Sequence, residues 1–263
     1  MNPGKKRRLK RVIQEDGRSV IVPMDHGVTI GPVKGIECMQ EIVDQLVKGG
    51  VDAVLLHKGI ARCADVGSVG LIVMLSAMSN LNPKCDNKVQ VCSVQEAVRL
   101  GADAVSVHVN VGAEDEDKML STLGRVADEC EIYGMPLLAM MYPRGPKIQN
   151  EHDAKVVAHA ARVGCELGAD IIKTNYTGDI DSFKFVVESC SVPVVIAGGP
   201  KAKTVKEVLQ MTRDSLKAGG KGLSIGRNIF QHDNPTLMVK ALSAIVHDGV
   251  SVEQALKILG GSP

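Results

Sequence analysis

Eight short apolar runs recur along the chain, and an amphipathic stretch follows each one. The runs are SVIVP (19–23), AVLL (53–56), LIVML (71–75), AVSVHV (104–109), PLLAMM (136–141), DIIKT (170–174), PVVIAG (193–198) and GLSIG (222–226). They are apolar almost throughout, so they read as strands covered on both faces, as in a parallel sheet under helices. Between them lie helical patterns such as IECMQEIVDQLVKGG (36–50), DKMLSTLGRVADECEIYG (117–134) and TVKEVLQMTRDSLKAGG (204–220), several closed by glycine just before the next strand. GGVDAVLL, LGADAVSV and LGADIIKT repeat one helix-to-strand joint. Eight such units in 263 residues predict an α/β fold, a (β/α)8 TIM barrel in a single domain over 1–263, with a basic lead-in over about 1–18. A ninth strand-like run, VQVCSV (89–94), is expected as an accessory segment between the third strand and its helix; an open sheet with one extra strand is the alternative.

Composition removes several classes of function. A net charge of +1 gives no footing for nucleic acid or an anionic membrane as partner. Aromatics at 2% and the absence of tryptophan argue against stacking on bases. The run KKRRLKR (5–11) is expected as a solvated first helix rather than a phosphate-binding arm. No stretch of about 20 apolar residues predicts a membrane span, and the basic start lacks the apolar run and cleavage site of a signal peptide. The seven cysteines, at 38, 63, 85, 92, 130, 165 and 190, lack CxxC spacing. That pattern predicts neither a disulfide framework nor a zinc site, but mostly buried thiols in a reducing cytoplasm. His57, His108 and His159 lack metal-ligand spacing with a carboxylate, so no metal is expected, and GAEDEDK (112–118) reads as a charged helix start.

In such a barrel the chemistry gathers at the carboxyl ends of the strands. Asp25 and His26 follow the first run, His57 and Lys58 the second, His108 and Asn110 the fourth. Tyr142 and Arg144 follow the fifth; Lys173, Asn175 and Tyr176 the sixth. Gly198–Gly199 and Gly226–Arg227 follow the last two, the usual place for a phosphate: glycines admit backbone N–H groups, and arginine adds a charge-assisted contact. Lys173 is either an ion-pair partner of Asp25 or Asp179, or a reactive amine. A free lysine is neutral in only about one molecule in a few thousand at pH 7, so an amine nucleophile needs burial or like charge, here from Lys58 or Arg144. The phosphate signature favours the amine. Asp25 is then a general base and Tyr142 a general acid or base, a carbonyl-activating set with no need of a metal or cofactor.

VPMDHG (22–27), MMYPRG (140–145), IIKTNYTGD (171–179), AGGPK (197–201) and GRNIFQH (226–232), in this order, resemble the archaeal-type class I aldolase family. The resemblance implies that Lys173 forms a Schiff base, with Asp25 and Tyr142 as its catalytic partners. It implies substrate and phosphate contacts from His26, Gly27, Val28, Thr29, Pro143, Arg144, Gly198, Gly199, Gly226 and Arg227. It also implies sugar phosphate and aldehyde substrates, no cofactor, and a homo-oligomer of barrels. One branch of the family cleaves fructose 1,6-bisphosphate. Another performs a transaldol synthesis on an alternative route to 3-dehydroquinate and the aromatic amino acids. VPMDHGVTIGP and MMYPRGPKIQNE look closer to the second, and Met140 stands where the first tends to have an aromatic residue. From other classes, a flavin oxidoreductase would share the phosphate site, and a non-catalytic sugar-phosphate sensor would have no need of Lys173, Asp25 and Tyr142 together.

Overall fold

The computed structural model describes residues 2–83 and 86–260, and Cys85 lies outside them. Eight parallel strands close into a barrel: β1 (Ser19–Pro23), β2 (Ala53–His57), β3 (Gly70–Met74), β4 (Ala104–Val111), β5 (Leu137–Pro143), β6 (Ile171–Thr174), β7 (Val194–Ala197) and β8 (Gly222–Ser224). Each strand hydrogen-bonds to its neighbours in sequence, and β1 closes on β8 with Ser19 opposite Gly222. Closure leaves no free sheet edge. The additional run supplies Val89–Gln90, which pairs antiparallel with Ser76–Ala77 as a two-stranded ribbon after β3 and before the helix Val94–Arg99. The open-sheet alternative therefore fails, and the ninth run is an accessory segment. Among the described residues, no helix is long and apolar enough to cross a membrane.

Two apolar layers follow from strands covered on both faces. The outer core lies between strands and helices; the inner one fills the barrel with side chains including Ile21, Leu55, Ile72, Leu138, Met140, Ile171 and Val195. Tyr142 belongs to this inner stack, as does Val12 from the lead-in.

The repeated joint has a structural cause. Gly50, Gly101 and Gly168 hold positive φ, 84°, 77° and 94°, which ends a helix cheaply only for glycine. Two residues on, Asp52, Asp103 and Asp170 each accept a backbone N–H from the start of the preceding strand: Val20 at 2.6 Å, Leu71 at 3.0 Å and Leu137 at 2.8 Å. Each carboxylate also takes a cation: His247 on Asp52 at 2.9 Å, Arg11 on Asp103 at 2.7 Å and Lys5 on Asp170 at 3.0 Å. The amino ends of three strands are thereby tied to distant segments.

The basic lead-in is consequently not a solvated helix. Lys5, in the helix Pro3–Leu9, is 2% exposed and also bonds Glu131. Arg8 donates to the Gly134 carbonyl at 2.9 Å, and Val12 is fully buried. The charged run closes the floor of the barrel because the joints there end in carboxylates. The thiols also depart from expectation: Cys92 and Cys130 are buried, Cys165 and Cys190 half-buried, and Cys38 and Cys63 exposed.

The three joints differ in burial, so their loss differs in cost. Asp170→Ala leaves the buried Lys5 ammonium short of a partner and should cost about 3–5 kcal/mol in urea unfolding. Asp103→Ala faces Arg11, whose side chain is 48% exposed, and should cost clearly less. Equal losses would refute the burial argument.

Candidate active site

The strands' carboxyl ends surround a cavity of about 440 Å³. Its walls come from residues distant in sequence: Asp25 and His26 after β1, His108 and Asn110 on β4, Tyr142 on β5, Lys173 on β6, and the loops after β7 and β8. Lys173 pairs with Val195 of β7 and Met140 of β5, so its backbone is fixed from both sides by the ladder. Its side chain is 6% exposed. Burial pushes its pKa down to about 8; Asp25 pulls the other way, and Arg144 and Arg227 reinforce the fall. With a pKa near 8, roughly a tenth of the amine is neutral at pH 7. Asp25 reaches Lys173 only as a nearby charge, and Asp179 instead caps the helix Ile180–Glu188 through the Ser182 N–H. Among the described residues the ion-pair reading of Lys173 thus finds no pair. Lys58 lies outside this wall, 3.2 Å from Glu96, so the like charge comes from the two arginines.

Tyr142 is wedged between two groups. The Arg144 guanidinium sits 4.7 Å from its ring centroid, and His108 meets it edge-on at 4.9 Å. Burial drives the phenol pKa well up, so the hydroxyl keeps its proton throughout the working range. Arg144 is itself held by Glu151 at 3.1 Å. Burial and the charges of Lys88, Arg144 and Lys173 hold His108 well below the usual histidine range, and its Nε2 pairs with Asn110 Oδ1 at 2.8 Å. Burial also lowers His26, whose Nδ1 lies 3.8 Å from Asp25 Oδ1, beyond hydrogen-bond reach.

The corner after β7 and β8 is built for close approach. Gly199 has φ of 58°, and a Cβ on Gly226 would press to 2.6 Å of the Pro23 carbonyl oxygen. Arg227 donates from Nη2 to the Gly199 carbonyl at 2.8 Å. Asn228 bonds the carbonyls of Gly198 and Pro200 and accepts from the Ala202 N–H, which pins the glycine loop. Arg227 Nε, Ser224 Oγ and His26 Nδ1 are buried without a hydrogen-bond partner, and all three residues line the cavity. Buried polar atoms are almost always paired, so this concentration marks a place for a polar ligand.

Of the expected site residues, Asp25, His26, Thr29, Tyr142, Arg144, Lys173, Gly198, Gly199, Gly226 and Arg227 line the cavity together. Gly27, Val28 and Pro143 do not, and Val28 is 45% exposed. Tyr176 turns away, its ring edge-on to Phe183, whereas Asn175 lines the wall. Sequence reasoning missed Lys88, Asp86, Ser224 and Asn228. Asn228 was legible as the third residue of GRN; Lys88 and Asp86 were not, because nothing local says that the segment between β3 and its helix reaches the mouth. Among the described residues, no cluster of three or more His, Cys, Asp or Glu is placed to hold a metal ion.

The pattern described as DeoC/LacD family aldolase matches residues 19–232. The chain belongs to that family. It is 44% identical over 261 residues to 2-amino-3,7-dideoxy-D-threo-hept-6-ulosonate synthase 1 of Archaeoglobus fulgidus, covering 98% of this chain and 96% of that one. It is 41% identical to 2-amino-4,5-dihydroxy-6-oxo-7-(phosphonooxy)heptanoate synthase of Streptomyces griseus, over 92% and 89% of the two chains. A solved archaeal fructose-1,6-bisphosphate aldolase, its catalytic lysine covalently bound to the carbinolamine intermediate of the substrate, superimposes with a TM-score of 0.86 at 34% identity, covering 92% of this chain and 99% of that one.

A lysine held near pKa 8 has a measurable cost. Its charged form is disfavoured in the fold, so the penalty is complete below pH 8 and fades as pH rises to 10.5. Lys173→Met should therefore stabilise the protein by about 3 kcal/mol at pH 7 and by little at pH 10.5, read from urea unfolding at both values. A Lys173→Met protein no more stable at pH 7 would show that the ammonium is not desolvated.

Proposed function

We propose that this protein is a Schiff-base transaldol enzyme, a 2-amino-3,7-dideoxy-D-threo-hept-6-ulosonate synthase on an alternative route to 3-dehydroquinate and the aromatic amino acids. One observation carries the chemistry: a desolvated lysine, with no hydrogen-bonded or ion-paired carboxylate among the described residues, faces a cavity that also holds Asp25 and Tyr142. The near-full-length likeness to synthases of that name supports the substrate assignment.

The steps follow from the groups present. Neutral Lys173 Nζ adds to a ketone of 6-deoxy-5-ketofructose 1-phosphate. Tyr142, its phenol fully protonated, donates to the oxygen that leaves as water, giving an iminium. The bond between the carbon next to the iminium and the hydroxylated carbon beyond it breaks, and its electron pair moves towards the iminium to form an enamine. The hydroxyl proton lost in that cleavage passes to a base, for which Asp25 is placed, and hydroxypyruvaldehyde phosphate departs. The enamine then adds to the aldehyde of L-aspartate semialdehyde, the new alkoxide regains a proton, and water hydrolyses the imine. Oxidation state is conserved overall, and the imine supplies the electron sink. Arg227 and the Gly198, Gly199 and Gly226 backbone hold the phosphate, with His26 and Thr29 beside it.

A second reading, fructose 1,6-bisphosphate cleavage, is favoured by the 34% identity to the carbinolamine-bound aldolase. Met140 argues against it, since it lines the cavity where that branch tends to carry an aromatic ring.

Borohydride added with the deoxyketose phosphate should fix an adduct on the peptide containing Lys173. An adduct on Lys58 or Lys88, or none, sinks the assignment. Lys173→Met should abolish turnover in a folded protein, Asp25→Asn and Tyr142→Phe should lower kcat by about 10²–10⁴, and Arg227→Ala should chiefly raise the KM of the phosphorylated donor. Offered aspartate semialdehyde with either ketose phosphate, the enzyme should make the unphosphorylated seven-carbon amino acid from the deoxyketose phosphate, detected by mass. Faster turnover of fructose 1,6-bisphosphate would decide for the second reading.

A further inference from the structure

The cavity contains a second lysine that the steps above do not use. Lys88 is 8% exposed and lines the wall with Lys173. Among the described residues it has no hydrogen-bond or ion-pair partner; Asp25, Arg144 and Asp86 act on it only as charges. A buried ammonium without a partner is expensive, and a fold retains one where a ligand meets it.

Its position in the ring matters. Lys88 is carried by the segment between β3 and its helix, which is fixed to β4: Asn110 Nδ2 donates to the Asp86 carbonyl at 2.7 Å, and Ser76 Oγ accepts from the His108 N–H at 2.9 Å. In the closed order β1-β8-β7-β6-β5-β4-β3-β2, the β3–β4 junction lies opposite the β7–β8 junction. The cavity thus has two cationic poles across the barrel mouth, Arg227 at one and Lys88 at the other, with Lys173 between them in ring order. Asp86 lines the same cavity two residues before Lys88. Both side chains thus face one cavity from the same short segment. At the Arg227 pole the unpaired Arg227 Nε and His26 Nδ1 and the glycine backbone suit a phosphate dianion. The Lys88 pole brings a cation together with two carboxylates, Asp25 and Asp86; with Asp25 placed for proton transfer, Lys88 and Asp86 are left as the complement of a zwitterion.

We infer that Lys88 and Asp86 form the acceptor subsite, taking respectively the α-carboxylate and α-ammonium of a short aldehyde that carries an amino-acid head. This rests on the proposed transaldol reading and names the residues that choose its second substrate. The Archaeoglobus and Streptomyces relatives are both named for 2-amino acid products, the head that such a subsite would retain.

The test is a competition at equal concentrations, with product ratios read by mass spectrometry. Aspartate semialdehyde competes with 3-aminopropanal, which lacks the carboxylate, and with succinate semialdehyde, which lacks the ammonium. Each ratio is internal to one protein, so changes in the donor half-reaction cancel. Lys88→Gln should cut the preference for aspartate semialdehyde over 3-aminopropanal at least about tenfold, and Lys88→Arg should restore part of it. Asp86→Asn should similarly cut the preference over succinate semialdehyde; because Asp86 is exposed, this arm stands even if Lys88→Gln fails to fold. Unchanged ratios in Asp86→Asn and in a folded Lys88→Gln overturn the subsite. So does a loss of both preferences in Arg227→Ala instead, which would place the acceptor in the phosphate corner. Borohydride trapping of the donor on the wild type separates the two levels: no adduct refutes the transaldol reading itself, whereas a normal adduct with unchanged ratios refutes only this subsite.

Discussion

Closing eight parallel strands into a ring puts a lysine where its charge is costly. β6 carries Lys173 near its carboxyl end, and its neighbours in the ladder are β5 and β7, so the side chain opens towards the cavity. Desolvation is the largest influence on it, larger than the opposing attraction of Asp25. Were the order reversed, Lys173 would be a structural ion pair and the cavity an inert polar pocket. Arg144 and Arg227 push the same way as burial, and neither can relax by swinging out freely. Arg144 is held between Glu151 and the Tyr142 ring, and Arg227 is bonded to the Gly199 carbonyl. The amine is thus tuned by groups that are themselves fixed, the condition under which a shifted pKa survives thermal motion.

The two ends of the barrel divide stability from chemistry. At the amino ends, every repeated aspartate finds both a backbone N–H and a cation. At the carboxyl ends, Arg227 Nε, Ser224 Oγ and His26 Nδ1 are left without hydrogen-bond partners among the described residues, and Lys88 and Lys173 are buried. Satisfied polar groups stabilise, and unsatisfied ones are a standing cost. The floor offsets what the mouth leaves open. The basic lead-in contributes to that floor directly: Lys5 and Arg11 neutralise two of the three joints, and Val12 extends the inner apolar stack.

What was legible in the sequence was whatever period and end position can report. All eight strands fall where the apolar runs lie, because a strand buried on both faces has no competing pattern. Lys173, Asp25, Tyr142, Arg144 and the two glycine corners were legible because strand ends in a barrel converge by construction. What was not legible depends on contacts between distant segments. The carboxylates of the repeated joints look like solvated helix ends until Lys5, Arg11 and His247 are brought to them. Lys58 stands at a strand end and Lys88 outside the eight runs; only the fold sends the first to Glu96 and the second into the cavity.

The segment between β3 and its helix shows how such a difference arises. A two-residue ribbon, Ser76–Ala77 with Val89–Gln90, is too short to be stable alone. It is secured by β4, through Asn110 to the Asp86 carbonyl and Ser76 to the His108 N–H. His108 then bears on Tyr142, and its other ring contact is Asn110. The wall that carries Lys88 and the phenol beside the reactive amine are therefore parts of one hydrogen-bonded and stacked unit.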